Sequence, residues 1–150
     1  MSQINDLPLH SIQGMPDGRR IAFVQAQWHA DIVHQARDAF LAELERQGVP
    51  ADTIDVFDVP GAFEIPWTAQ RAARSGRYDA LVAIGVVVRG DTPHFEYVCQ
   101  GVTDGVGRVA LSEGVPIAFC VLTTETVEQA LVRAVQPGEA GCNKGAEAAE

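Results

Sequence analysis

Ala80-Leu81-Val82-Ala83-Ile84-Gly85-Val86-Val87-Val88 is apolar on both of its alternating faces. A strand with one wet face alternates apolar and polar residues, whereas a run without a polar side is what a parallel sheet covered by helices on both faces requires. Working outward from it, three further short, β-rich apolar runs appear at Ile21–Ala26, Ile54–Val59 and Pro116–Leu122. The segments between them carry helical spacing. Ile32, Ala36, Ala39, Phe40 and Leu44 follow i, i+3 and i+4 steps, and Gly48 followed by Pro50 supplies the stop. The same spacing predicts a second helix over 63–75 and a third over 95–113. Thr124 offers a capping hydroxyl for a fourth, with Glu128 and Gln129 in its first turns and Arg133 near its end. The Ala/Glu-rich tail from Gly145 to Glu150 reads as helical. Strands alternating with helices form right-handed βαβ units. The expectation is a four-stranded parallel sheet in a three-layer αβα sandwich, a flavodoxin-like α/β fold.

The bulk numbers agree with one compact core. A chain of 150 residues buries about 70% of its unfolded surface on folding. Its 47% apolar and 21% charged content is that of a globular protein rather than a disordered one. Residues 1–18, with Pro8, Gly14, Pro16 and Gly18, read as a loose arm, and the domain spans 19–150. The formal charge of −9, with 11 basic residues that form no cluster, excludes nucleic acid as a partner. A small anion is still admissible, because a helix N-terminus and one or two Arg make a local positive site. The three cysteines, Cys99, Cys120 and Cys142, show no CxxC spacing, so we expect reduced thiols and no zinc site. No basic-then-apolar leader is present, and no apolar run approaches the ~20 residues needed to span a bilayer. The cytoplasm is the expected compartment, with no membrane partner.

Open parallel sheets bind ligands at the carboxyl ends of their strands. Trp28 and His29 follow the first strand, Pro60 to Glu64 the second, Arg89 to His94 the third, and Phe119 to Thr124 end the fourth. The loop Arg89-Gly90-Asp91-Thr92-Pro93-His94 is the most informative. Gly90 allows backbone angles closed to other residues, so the N–H groups of Asp91 and Thr92 could turn inward as an anion nest. His94 could then move protons at neutral pH. A surface turn with an exposed histidine is the plain alternative for that loop taken alone. Trp28 offers a flat face for a heteroaromatic ring, or rim filler. Glu64 stands at a helix start, as a hydroxyl acceptor or a dipole partner.

Four stretches, in order and in register, carry a resemblance: Gly61-Ala62-Phe63-Glu64-Ile65-Pro66, Arg89-Gly90-Asp91-Thr92-Pro93-His94-Phe95-Glu96-Tyr97, Phe119-Cys120-Val121-Leu122-Thr123-Thr124-Glu125-Thr126-Val127-Glu128-Gln129-Ala130 and Asn143-Lys144-Gly145. Together they resemble the successive signatures of the lumazine synthases from Ile21 onward. Gln27-Trp28-His29-Ala30-Asp31-Ile32-Val33 is similar to the Trp-containing subgroup sometimes called type II. The resemblance implies an enzyme that condenses 5-amino-6-(D-ribitylamino)uracil with 3,4-dihydroxy-2-butanone 4-phosphate, releasing phosphate and water, in the penultimate step of riboflavin formation. It implies neither metal nor organic cofactor. By the same resemblance Trp28 stacks on the pyrimidine, Ala62, Phe63 and Glu64 hold it and its ribityl chain, and the backbone of Val86, Val87 and Val88 adds contacts. Asp91 and Thr92 N–H groups, with Arg133 of a neighbouring subunit, bind phosphate. His94 transfers protons, Phe119 of the neighbour closes the pocket, and Lys144 is a further candidate. The implied assembly is a pentamer with sites between subunits, extended in some relatives to a decamer or a sixty-subunit shell, with riboflavin synthase as a candidate partner.

Three departures from the family pattern stand out. Cys120 replaces the usual Gly, so a side chain either tightens the pocket beside Phe119 or fills the core. The connection from Arg133 to Lys144 is longer than usual and carries Pro137, Gly138 and Gly141, which argues against a shell. The family's last helix usually continues for two or three turns beyond the point where this sequence ends; either the helix is short or the sequence is incomplete. A second reading is a family member that binds flavin or lumazine without turnover, as a carrier. A signalling receiver would need clustered acidic metal ligands after the first strand, and Gln27-Trp28-His29 supplies none.

Overall fold

The computed structural model describes residues 19–136 and 138–150. The expectation of an arm over 1–18 therefore lies outside the described residues. Four strands, β1 (Ile21–Ala26), β2 (Ile54–Val59), β3 (Ala80–Val88) and β4 (Ile117–Thr124), form one all-parallel sheet in the order β2-β1-β3-β4. Among the described residues five α-helices accompany them: α1 (Ala30–Arg46), α2 (Ile65–Arg74), α3 (His94–Glu113), α4 (Val127–Leu131) and α5 (Lys144–Ala148). This is the expected α/β architecture.

Alternation along the strands sorts the core onto two faces. Phe23, Val82, Ile84 and Val86 point to the side of α1, where Ile32, Val33, Ala36, Phe40 and Leu44 meet them. The Phe23 and Phe40 rings lie 5.0 Å apart. Val24, Ala26, Ala83 and Val121 point the other way, toward Ile65 of α2 and Val102 and Val106 of α3. β1 thus crosses to β2 over one face and β2 to β3 over the other. A switch point opens above β1 and β3.

The α2–α3 contact is close because α3 places glycines where α2 arrives. A Cβ on Gly105 would lie 2.6 Å from Pro66 Cγ, and one on Gly101 would lie 2.7 Å from Phe63 Cε2. The α1–α5 contact is tighter still. A Cβ on Gly145 would fall 1.8 Å from the Ala36 carbonyl oxygen. Asn143 caps α5, its Oδ1 accepting from the N–H groups of Gly145 (2.9 Å) and Ala146 (3.1 Å), and its Nδ2 donates to Val135 O at 2.9 Å. Asn and Gly of that motif therefore serve folding.

Several boundaries differ from the sequence expectation. The second helix opens with a 3-10 turn, Ala62–Glu64, before α2, since Pro66, which lacks an N–H, sits in the first turn. β4 runs two residues past Leu122 because β3 is long enough to pair Val88 with Thr124. Thr124 consequently stays in the sheet, buried, and Thr126 caps α4, its Oγ1 accepting from Gln129 N–H at 3.2 Å. α4 has five residues, so Arg133 lies beyond it rather than near its end. Among the described residues no helix is long and apolar enough to cross a membrane.

Candidate functional site

β3 overhangs β1. Its pairing with β1 ends at Ile84, opposite Gln25, while pairing with β4 continues to Val88. The β1-side backbone groups of Val86 to Val88 therefore face open space rather than another strand. Above them lies a cavity of about 610 Å³, walled by Trp28 and His29 after β1, Pro60 to Glu64 after β2, the end of β3 with Gly90, Thr92 and His94, and Phe95, Tyr97 and Val98 on α3.

The walls differ in chemistry. Trp28 is 69% exposed and Phe63 61%, two large apolar side chains brought into one cavity wall. The Trp28 indole stands over Gly61, where an added Cβ would meet Trp28 Cδ1 at 3.7 Å and Glu64 Oε2 at 3.1 Å. Glu64 Oε2 accepts the Gly61 N–H at 2.9 Å. One carboxylate oxygen fixes the side chain, and the other has no partner among the described residues.

Across the cavity, the loop after β3 presents donors. Among the described residues neither Asp91 nor Thr92 has an acceptor for its backbone N–H. Gly90 corrects an expectation, since it does not take a positive φ. Nothing lies within 4 Å of where its Cβ would be, so its missing side chain serves by leaving the cavity mouth open. His94 begins α3, its N–H directed at Thr92 Oγ1 at a long 3.4 Å. Arg89 pairs with Glu125 at 2.5 Å and with Glu96, and lies 4.4 Å over the Phe95 ring. Hydrogen bonding to Glu125, then to Glu96, raises its pKa, and Arg89 in turn lowers that of Glu96.

Trp28, Ala62, Phe63, Glu64, Val86, Val87, Val88, Thr92 and His94 thus meet round one cavity, with Asp91 in the same loop. Three expected residues do not join them. Phe119 is third in β4, the edge strand, opposite Ala83 and 45% exposed, and is not among the cavity walls. Arg133 donates to Gln129 O at 2.7 Å, and Lys144 pairs with Glu147 at 2.6 Å. Cys120 is buried on the α1 face, opposite to Phe119, and burial pushes its thiol up to about 12. It fills the core. Residues not foreseen at the site include Tyr97 and Val98, one helical turn from His94 and so on its face, while His29, expected there after the first strand, lines the cavity beside Trp28. His29 holds φ 55°, the one positive φ among described non-glycine residues. Nothing in its sequence signals that conformation.

A cleft at the switch point, with a bare indole at one end and unpaired donors beside a histidine at the other, places the molecule among α/β proteins with a site at the carboxyl ends of a parallel sheet. The comparison with known proteins narrows this class. Residues 18–150 match the model of the 6,7-dimethyl-8-ribityllumazine synthase family. A 6,7-dimethyl-8-ribityllumazine synthase of Salinibacter ruber (strain DSM 13855 / M31) is 46% identical over 134 residues, covering 89% of this chain and 84% of that protein. The chain belongs to the 6,7-dimethyl-8-ribityllumazine synthase family.

Proposed function

We propose that the protein condenses 5-amino-6-(D-ribitylamino)uracil with 3,4-dihydroxy-2-butanone 4-phosphate to 6,7-dimethyl-8-ribityllumazine, releasing phosphate and water, one step before riboflavin. Trp28 stacks on the pyrimidine, the Ala62-Phe63-Glu64 turn and the Val86–Val88 overhang hold its edge and ribityl chain, and the free Glu64 oxygen accepts hydroxyl hydrogen bonds. Asp91 and Thr92 N–H groups bind the phosphate. Imine formation and phosphate loss both move protons, which His94 relays, a contribution of typically 10²–10⁴-fold. Holding two substrates together contributes as much or more. No metal or organic cofactor enters the reaction.

The observation that carries this reading is a split. Nine expected site residues line one cavity, while Phe119 and Arg133, which should close it and neutralise the phosphate, lie elsewhere on the same chain. A neighbouring copy supplies them. The assembly is a pentamer or paired pentamers, and the longer Arg133–Lys144 connection disfavours a shell.

The test is complementation. At low phosphate substrate, His94→Ala and Arg133→Ala oligomers are each weak, whereas co-assembled mixtures recover activity because some sites draw both native residues. Mixtures that co-assemble without recovery would sink the shared site, as would a solution mass near 16.1 kDa. Lumazine bound tightly with no absorbance change in a two-substrate assay would favour the carrier reading instead.

A further inference from the structure

We infer that Arg89 is the positioning residue of the phosphate loop, clasping its two flanks so that the Asp91 and Thr92 N–H groups and His94 are held ready, without itself touching phosphate. The inference rests on the reading that this loop holds the phosphate group. Four observations carry it.

First, the loop does little to hold itself. Its one internal hydrogen bond among the described residues is the long contact from His94 N–H to Thr92 Oγ1 at 3.4 Å. Gly90 is not locked in a left-handed conformation, and nothing lies within 4 Å of where a Cβ would stand. Second, Arg89 spans it. Its guanidinium pairs with Glu96, seven residues on, and stacks 4.4 Å over Phe95, both in the first turn of α3. Third, the other flank is anchored to β4. Arg89 N–H donates to Thr124 O at 2.9 Å, its Nε reaches Glu125 at 2.5 Å, and Glu125 N–H donates to Gln129 Oε1 at 2.9 Å. The loop is thereby tied to β4 and α4 as well as to α3.

Fourth, Arg89 is a poor phosphate ligand. Two carboxylates already compensate its charge, and it is not among the cavity walls. Its side chain is 37% exposed and its partners more so, so each pair adds little to global stability. The clasp narrows the range of loop conformations instead, and preorganisation of this kind appears in binding rather than in folding. A planar guanidinium is needed, because only Arg can fork between two carboxylates while lying flat on a ring.

The experiment compares Arg89→Met, Arg89→Lys and Glu96→Gln with the native enzyme. Arg89→Met is expected to raise the KM for the phosphate-bearing ketone by about tenfold or more, the scale of a small misplacement of binding groups, with the KM for the pyrimidine and the melting temperature unchanged. Arg89→Lys and Glu96→Gln fall between. A titration with inorganic phosphate, read on the His94 imidazole resonances by NMR, should show the same order of weakening. An unchanged ketone KM and phosphate affinity in Arg89→Met overturns the clasp, as does an equal rise for both substrates. If Arg89→Met does not fold, the Lys and Gln variants carry the same contrast. Absence of turnover by the native protein would instead overturn the synthase reading, and the phosphate titration would still decide the clasp.

Discussion

The two ends of the one sheet treat their polar groups in opposite ways. At the amino ends of the strands, Arg20 Nη2 donates to Asp55 Oδ1 at 2.6 Å, Tyr78 Oη donates to Asp55 Oδ2 at 2.7 Å, and Arg20 N–H donates to Asp79 Oδ2 at 3.1 Å. Tyr78 is buried, its ring edge-on to Phe57. At the carboxyl ends, Trp28 and Phe63 stand bare, and the Asp91 and Thr92 N–H groups have no acceptor among the described residues. Apart from Arg20 Nε, which is buried without a partner among the described residues, the amino-end groups satisfy one another, and groups so paired stabilise the fold rather than await a ligand. Groups left unsatisfied add nothing to stability and are available to bind.

The sharpest way to break this contrast is at His94. His94→Ala is expected to lower kcat by roughly 10²–10⁴-fold while leaving the melting temperature in place, because the side chain is exposed and its N–H contact belongs to the backbone. A slow but measurable enzyme remains, since binding and orientation survive. A large stability loss would show that the upper edge is not energetically idle. Next in size is Trp28→Ala. Stacking on a heteroaromatic ring is worth about 1–3 kcal/mol, so the KM for the pyrimidine substrate should rise by roughly one to two orders of magnitude. Trp28→Phe should recover most of it, with stability unaffected in both. A KM rise confined to the phosphate substrate would displace Trp28 from its proposed role.

Much of this upper edge is legible in the amino-acid sequence. β1, β2 and β3 fall where their apolar runs begin and end, because those limits are set locally by composition and turn residues. The features that sequence does not reveal share a cause, which is long-range partners. Three threonines, Thr123, Thr124 and Thr126, could each cap a helix, and only the overhang of β3, which draws Thr124 into the sheet, selects the last. Gly145 is legible through resemblance, but its reason, an Ala36 carbonyl 1.8 Å from any Cβ, belongs to a contact between helices far apart in the chain. That Phe119 lies opposite Ala83, away from the cavity, is a matter of register across the sheet, which a motif giving order along the chain does not carry. The left-handed backbone of His29 leaves no local trace either, since glycine or asparagine is the usual occupant of such a position.

The lower edge responds in stability alone. Tyr78→Phe removes one hydrogen bond from a buried ring, a loss of about 1 kcal/mol at neutral pH, with kcat and both KM values unchanged. Chemical denaturation alongside a steady-state assay checks both halves. Any shift in kinetics would mean that the two edges communicate through the sheet.

The smallest expected effect lies in the pH dependence of that same knot, and its sign follows from two opposite shifts. The Asp55 carboxyl is held below its ordinary range by the Tyr78 hydroxyl first and the Arg20 guanidinium second. A carboxylate depressed in the folded state contributes stability in full above its unfolded value of about 4, and that contribution is lost as pH falls through the folded value. Tyr78 moves upward, chiefly by burial and then by its bond to Asp55. Its contribution is fully present below its unfolded value of about 10 and is lost as pH rises beyond it. The knot therefore favours the fold most between those limits, and Tyr78→Phe should act on both sides. The alkaline decline of unfolding free energy loses its Tyr78 component, and the acid decline becomes shallower because Asp55 has lost its leading partner. Urea denaturation across the acid and alkaline limbs measures both slopes. Superimposable limbs in the native and variant proteins would show that Asp55 and Tyr78 share no proton-linked stability, leaving packing against Phe57 as the reason the ring is buried.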